Sequence, residues 1–357
     1  MKMTFRWYGP DDPVSLEQIR QIPGMTGVVT ALYSVPVGEV WDSPSILALR
    51  DRVHAAGLEM EVIESVPVHE EIKLGSDKRD VLIDHYIQTI RNLAAAGVKV
   101  ICYNFMPVFD WVRSELHYPL PDGSNCLAYS QEQIDAIDPK KQSLSLPGWD
   151  ESYTKEELKH LLARYEAVDE EKLFRNMVYF LRRLMPVCEE CDVKMAVHPD
   201  DPPWSLFGLP RIITSEANID RLFREVDSVY NGLTLCTGSL GADRRNDLVH
   251  MAGKYAAMGR VHFLHARNIR FTSTEEGRMF FHESPHPTDC GSLNMYGILK
   301  ALYDNGFSGY TRPDHGRNIW GEDRKPGYGL YDRALGATYL YGMWEAIGKT
   351  EKAQNKK

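Results

Sequence analysis

A chain of 357 residues, 43% hydrophobic and 25% charged, has the make-up of a soluble globular protein and can bury one large core or two modest ones. Its formal net charge of −9 argues against a nucleic-acid partner, which needs a basic face, and no window of about 18 consecutive apolar residues offers itself to a membrane. Six cysteines without a secretory signal argue against a disulfide framework, so a reducing compartment, the cytoplasm, is expected.

In chain order, short β-type runs alternate with helical runs. The first strand, 3–8 (MTFRWY), starts almost at the first residue, and a weak helix at 15–22 leads to a second strand at 27–33 (GVVTALY). A helix at 43–56, a strand at 59–65 and a helix at 78–96 follow, the latter stopped by Gly97, and the fourth strand is 98–105. A helical run at 155–191 ends in Cys188 and Cys191, a C-x-x-C whose position at a helix end favours plain packing over redox or zinc chemistry. The second half adds strands at 193–198, 232–236, 261–267 and 307–314, with helices at 215–229, 244–258, 292–305 and 331–347. Five helices hand over to the next strand through a glycine, at 56–58, 96–98, 231–233, 258–260 and 305–307. Eight such units predict an α/β fold, a closed TIM-type (β/α)₈ barrel, in one domain spanning 1–357. A doubly wound open sheet is the alternative, but no G-x-G-x-x-G follows the first strand. The stretch 106–169 is too polar and irregular for a barrel helix. Following strand four, it is expected to form an inserted lid at the C-terminal face or a subunit interface.

Catalytic groups of such barrels project from the C-terminal ends of strands. The last four strands end in His198, Cys236, His265 and Asp314, four metal-ligand types in succession. Singly, each reads as a buried polar or turn residue; together they predict a divalent-metal site, with zinc, iron, cobalt and manganese all compatible. By the two-residue period Val261, Phe263, His265 and Arg267 share a face, which places Arg267 either on an anionic substrate or in a surface ion pair. His262 points the other way, as a structural residue. His315 would reach the site only if a loop turned it inward, and Tyr328, between two glycines, reads equally as an acid or base and as a lid aromatic. Arg6, Glu64 and His69 complete a polar rim.

Several of these segments resemble the mannonate dehydratases of hexuronate catabolism: FRWYGPDDPV, GVVTALYSVPVGEVW, VIESVPVHEEIK, CYNFMPVFDW, AVHPDDPPW, RPDHGR and GYGLYDRALG. The resemblance runs from about residue 3 to 345. It implies a TIM barrel that dehydrates D-mannonate to 2-keto-3-deoxy-D-gluconate with manganese or another divalent metal (iron, cobalt or zinc). It further implies His198, Cys236, His265 and Asp314 as ligands, and Asp314, His315 and Tyr328 around the reacting carbons. Arg267, Arg6 and His69 are the expected substrate contacts, and a homodimer the expected assembly. The nearest rival is a metal-dependent sugar isomerase or epimerase on the same barrel, which needs no anion clamp. A barrel nuclease would need a basic groove, and a non-catalytic sugar binder has little use for four metal ligands.

Overall fold

The computed structural model describes residues 1–139, 154–273 and 279–354. In chain order its strands are β1 (Lys2–Arg6), β2 (Met25–Thr30), β3 (Glu59–Glu64), β4 (Val100–Tyr103), β5 (Glu115–Pro119) and β6 (Asn125–Ser130). They continue with β7 (Lys194–Val197), β8 (Asn231–Cys236), β9 (Val261–Ala266), β10 (Asn268–Ser273), β11 (Met279–Ser284) and β12 (Tyr310–Pro313). Eight of them close a parallel barrel in the order β1-β12-β9-β8-β7-β4-β3-β2, as the alternation of elements predicts. A strand covered on both faces reads as a continuous apolar run, and β8 (NGLTLC) and β9 (VHFLHA) are buried at all six positions. Val29, Val62, Val100, Cys102, Ala196, Phe263 and Tyr310 pack together as a core of their own, separate from the larger core to which the helices contribute.

The predicted helices form with their ends set by capping. Asp42, Ser215, Asp247 and Asn294 each accept from a backbone N–H of the first turn of Ser43–Ala55, Glu216–Glu225, Leu248–Ala257 and Met295–Asp304. The single helix expected over 155–191 is two, Lys155–Tyr165 and Glu170–Cys191, because Asp169 caps the second by accepting from Lys172 N at 2.7 Å. Cys188 and Cys191 are free thiols on that second helix, the first of them buried. Four handover glycines, Gly57, Gly97, Gly259 and Gly306, take positive φ, where a side chain would be strained. The fifth does not: Gly232 lies inside β8, where a Cβ would collide with the His262 ring and the Arg260 carbonyl. Among the described residues no helix is long and apolar enough to cross a membrane.

The expectation of irregular chain after strand four is corrected for 115–130. Residues 140–153 of that stretch lie outside the described residues, but β5 and β6 form a hairpin whose turn is made by Asp122 accepting from Ser124 N at 3.0 Å and by Gly123 at φ +83°. This hairpin joins a second one, β10 and β11, which leaves the barrel directly after β9. The result is an antiparallel sheet ordered β10-β11-β6-β5. Strand β9 therefore stops at Ala266, and Arg267 is the one residue between it and β10.

Candidate active site

At the barrel's C-terminal mouth, one ligand atom each from His198, Cys236 and His265 lies within 4.8 Å of the others. His198 follows the last residue of β7, and its Nδ1 donates to the Pro199 carbonyl at 2.7 Å, which turns Nε2 toward Cys236. Cys236 closes β8. Burial raises its thiol pKa, but Arg267 and His198 outweigh burial and leave it lowered to about 5, a thiolate at neutral pH. His198 is correspondingly pushed up to about 9, burial being overcome by Cys236. His265 is fully buried; its Nε2 makes no well-aligned hydrogen bond, and Glu64 Oε2 lies 3.3 Å from it.

Asp314 stands outside that tightest trio but borders it, with Oδ2 3.4 Å from Cys236 Sγ and Oδ1 3.9 Å from His265 Nδ1. Its oxygens also meet Arg267 Nε and Arg312 NH2, each at 2.8 Å. Burial opposes its ionisation, yet Arg312 and its neighbours hold the carboxyl well below the usual range. The donor set of two imidazoles, a thiolate and a carboxylate fits a divalent transition ion. Glu64, Cys102 and His265 form an overlapping trio. One of its donors is poorer, because burial pushes the Cys102 thiol well up, while Glu64, like Asp314, is paired with Arg312, at 2.9 and 3.1 Å.

Two expected substrate contacts lie elsewhere. Arg267 is 1% exposed and spent on carboxylates: NH1 on Glu283 and NH2 on Asp201, both at 2.6 Å, with Nε on Asp314. It is not among the residues that line the cavity. His69 caps the helix Glu70–Leu74, its Nδ1 accepting from Glu71 N at 3.0 Å, and it too is absent from the cavity wall. Arg6 does line the cavity. It sits 3.3 Å from Glu64, while its Nε and NH1 lack hydrogen-bond partners. The residue that sequence parity placed beside Asp314 without a role, Arg312, lines the cavity as well.

That cavity is about 760 Å³ and brings His198, Asp314, His315 and Tyr328 to one wall. The chain after β12 turns inward, as His315 requires. Its Nε2 lies 3.0 Å from the Tyr328 hydroxyl and its Nδ1 2.6 Å from Glu283 Oε1. Burial raises the Tyr328 pKa, which keeps the phenol protonated. Tyr8 packs edge-on against Tyr328 at 5.0 Å, and Trp111, from the segment after β4, lies 5.4 Å from the His315 ring. An imidazole, a protonated phenol and the Arg6 and Arg312 guanidinium groups around one space suit proton transfer on a small anion.

Comparison with known proteins agrees with this chemistry. The D-mannonate dehydratase (UxuA) family model matches residues 1–354. Mannonate dehydratase of Thermotoga petrophila is 56% identical over 362 residues, covering 99% of both chains. That of Streptococcus uberis is 56% identical over 352 residues, 99% of this chain and 100% of its own. The crystal structure of mannonate dehydratase from Streptococcus suis serotype 2 superposes with a TM-score of 0.90 at 48% identity, over 98% of this chain and 96% of that one. With the fold, the strand-end donors and these likenesses in agreement, the chain belongs to the D-mannonate dehydratase family.

Proposed function

We infer that the protein is a hydro-lyase that dehydrates D-mannonate to 2-keto-3-deoxy-D-gluconate. The observation that carries this is family membership over nearly the whole chain, in a molecule whose strand-end donors border an acid–base pair. The reaction removes the proton from C2, beside a carboxylate, and expels the C3 hydroxyl; the resulting enol tautomerises to the ketone. Both steps are slow without help, because the first builds a second negative charge on the carboxylate oxygens and the second has a poor leaving group.

The proposed ligands are His198, Cys236, His265 and Asp314, with manganese the ion to try first and iron, cobalt and zinc the alternatives. A bound divalent ion supplies Lewis acidity, stabilising the negative charge that develops as the C2 proton leaves. His315 is the proposed base: its Nε2 faces the cavity beside Tyr328 and takes the C2 proton. Tyr328 is the proposed acid, a phenol that burial keeps protonated and that gives its proton to the departing hydroxyl. The 3.0 Å contact between them lets the proton gained by His315 pass back to Tyr328, which restores both groups. Arg6, whose Nε has no partner and whose NH1 makes only a 3.3 Å contact with Glu64, is the proposed partner of the substrate carboxylate. The segment 106–169 is proposed to close one wall of a single barrel unit, which is supported by Met106, Asp110, Trp111 and Leu116 lining the cavity.

Metal-stripped protein incubated with D-mannonate, with and without added manganese, tests the reading. A 2-keto-3-deoxy acid should form only when metal is restored. Absence of product with manganese, iron, cobalt and zinc alike would overturn it.

A further inference from the structure

We propose that Glu283 is the positioning residue of the acid–base pair: from β11, outside the barrel, it holds His315 as the Nδ1–H tautomer, so that Nε2 presents its lone pair to Tyr328 and the cavity. The inference rests on the assignment of His315 and Tyr328 as base and acid.

The argument begins with what a carboxylate can do. An ionised carboxylate accepts hydrogen bonds and donates none, so the 2.6 Å contact between Glu283 Oε1 and His315 Nδ1 places the hydrogen on Nδ1. In the neutral ring Nε2 is then an acceptor, and the Tyr328 hydroxyl is the donor across their 3.0 Å contact. Two cations keep Glu283 ionised although it is only 2% exposed. Arg267 NH1 meets the same Oε1 at 2.6 Å, and Arg113 NH2 reaches it at 3.2 Å. Asp201 completes the cluster, 2.8 Å from Arg113 NH1 and 2.6 Å from Arg267 NH2, so two buried guanidinium groups face two buried carboxylates. Without Glu283, Arg113 and Arg267 would keep Asp201 and Asp314, but no carboxylate would face His315 Nδ1, on the group that must become an imidazolium in turnover.

The sheet explains why the carboxylate is held so closely. Along β11 side chains alternate, so Phe281 and Glu283 share one face and His282 and Ser284 the other. Phe281 stacks on Tyr129 of β6 with centroids 5.3 Å apart, and the Arg113 guanidinium lies 5.2 Å over its ring. The antiparallel sheet therefore does more than wall the cavity: it carries an anion to the back of a base that the barrel supplies, in the geometry of a base held by its orienting carboxylate.

The test pairs a variant with a measurement on the unaltered protein. In Glu283→Gln kcat should fall on the order of 10²–10⁴-fold, the range seen when a base loses its orienting carboxylate. KM should stay within about threefold and bound metal at the wild-type level, a split that general loosening of the site would not produce. In the zinc-loaded wild-type protein with ¹⁵N-labelled histidine, the His315 signals, identified by their loss in His315→Asn, should show Nδ1 protonated and Nε2 bare. Wild-type kcat in Glu283→Gln, or a proton resident on Nε2, would overturn the proposal. If the variant does not fold or loses metal, the wild-type spectrum still decides. If wild-type protein leaves D-mannonate unchanged, the proposed function fails, and the same spectrum reads the tautomer separately.

Discussion

The barrel and the antiparallel sheet at its mouth meet at one cavity but are assembled on different plans. Each barrel strand follows its helix within a few dozen residues, and the candidate ligands sit at matching positions, the ends of β7, β8, β9 and β12. The sheet is spliced from two hairpins about 150 residues apart in the chain, and β6 pairs with β11 in the register Phe280–Ser130, Phe281–Tyr129 and His282–Ala128. The barrel contributes side chains that can hold a metal; the sheet contributes a carboxylate that acts through another residue. Local, repeated geometry suits a metal shell, whereas the long-range splice suits a support that must arrive from the opposite side.

The sharpest way to break this division is on the barrel side. His265→Ala removes a buried donor that has no replacement, so bound metal and dehydration should both fall to background in metal analysis and in the product assay. An enzyme that kept both would remove His265 from the shell. Tyr328→Phe should leave metal content untouched while kcat drops about 10²–10⁴-fold, the usual weight of a general acid. Full activity in that variant would return Tyr328 to the status of a lid aromatic.

The same comparison explains what could be read in advance. That His198, Cys236, His265 and Asp314 come together could be read in advance because a barrel gathers its strand ends at one mouth, and strand ends can be counted. Arg267 was weighed as a substrate clamp or a surface ion pair, whereas its side chain is buried on Asp201, Glu283 and Asp314, two of which come from distant loops and strands that local alternation does not report. His69 was read as part of a polar rim, although a residue ahead of Glu70–Glu71 is as well placed to cap a helix, which is what it does. Glu283 had no local signal at all, since its role exists only once β11 has folded back across β6. The P-D-G turn at 121–123, between runs that became β5 and β6, was the available hint of that sheet.

On the sheet side the expected effect is mixed. Phe281→Ala should cost about 3–5 kcal/mol of stability, as for other buried phenylalanines, and lower kcat as well, because Glu283 lies two residues along the same face. Denaturant unfolding with parallel kinetics checks this; an unfolding loss with unchanged kcat would detach the sheet from the chemistry.

The smallest effect concerns the barrel wall. His262 is buried with Nε2 unpartnered, and burial lowers its pKa to about 3. An unfolded histidine, with a pKa of about 6.5, takes up a proton that the folded one refuses. Its neutral form therefore stabilises the fold fully above about pH 6.5, and stability falls by up to about 1.4 kcal/mol per pH unit as the pH drops toward 3. Unfolding free energies measured at several pH values between about 4 and 6 should show a shallower slope in His262→Leu. An identical slope would assign the acid sensitivity to other groups.

The account stands most directly on the ion and its four barrel ligands. X-ray absorption on the metal-reconstituted protein should find one ion per chain with a single sulfur scatterer at about 2.3–2.4 Å, supplied by Cys236, and nitrogen and oxygen neighbours nearer in. An ion surrounded by oxygen and nitrogen alone, unchanged in Cys236→Ser, would contradict it.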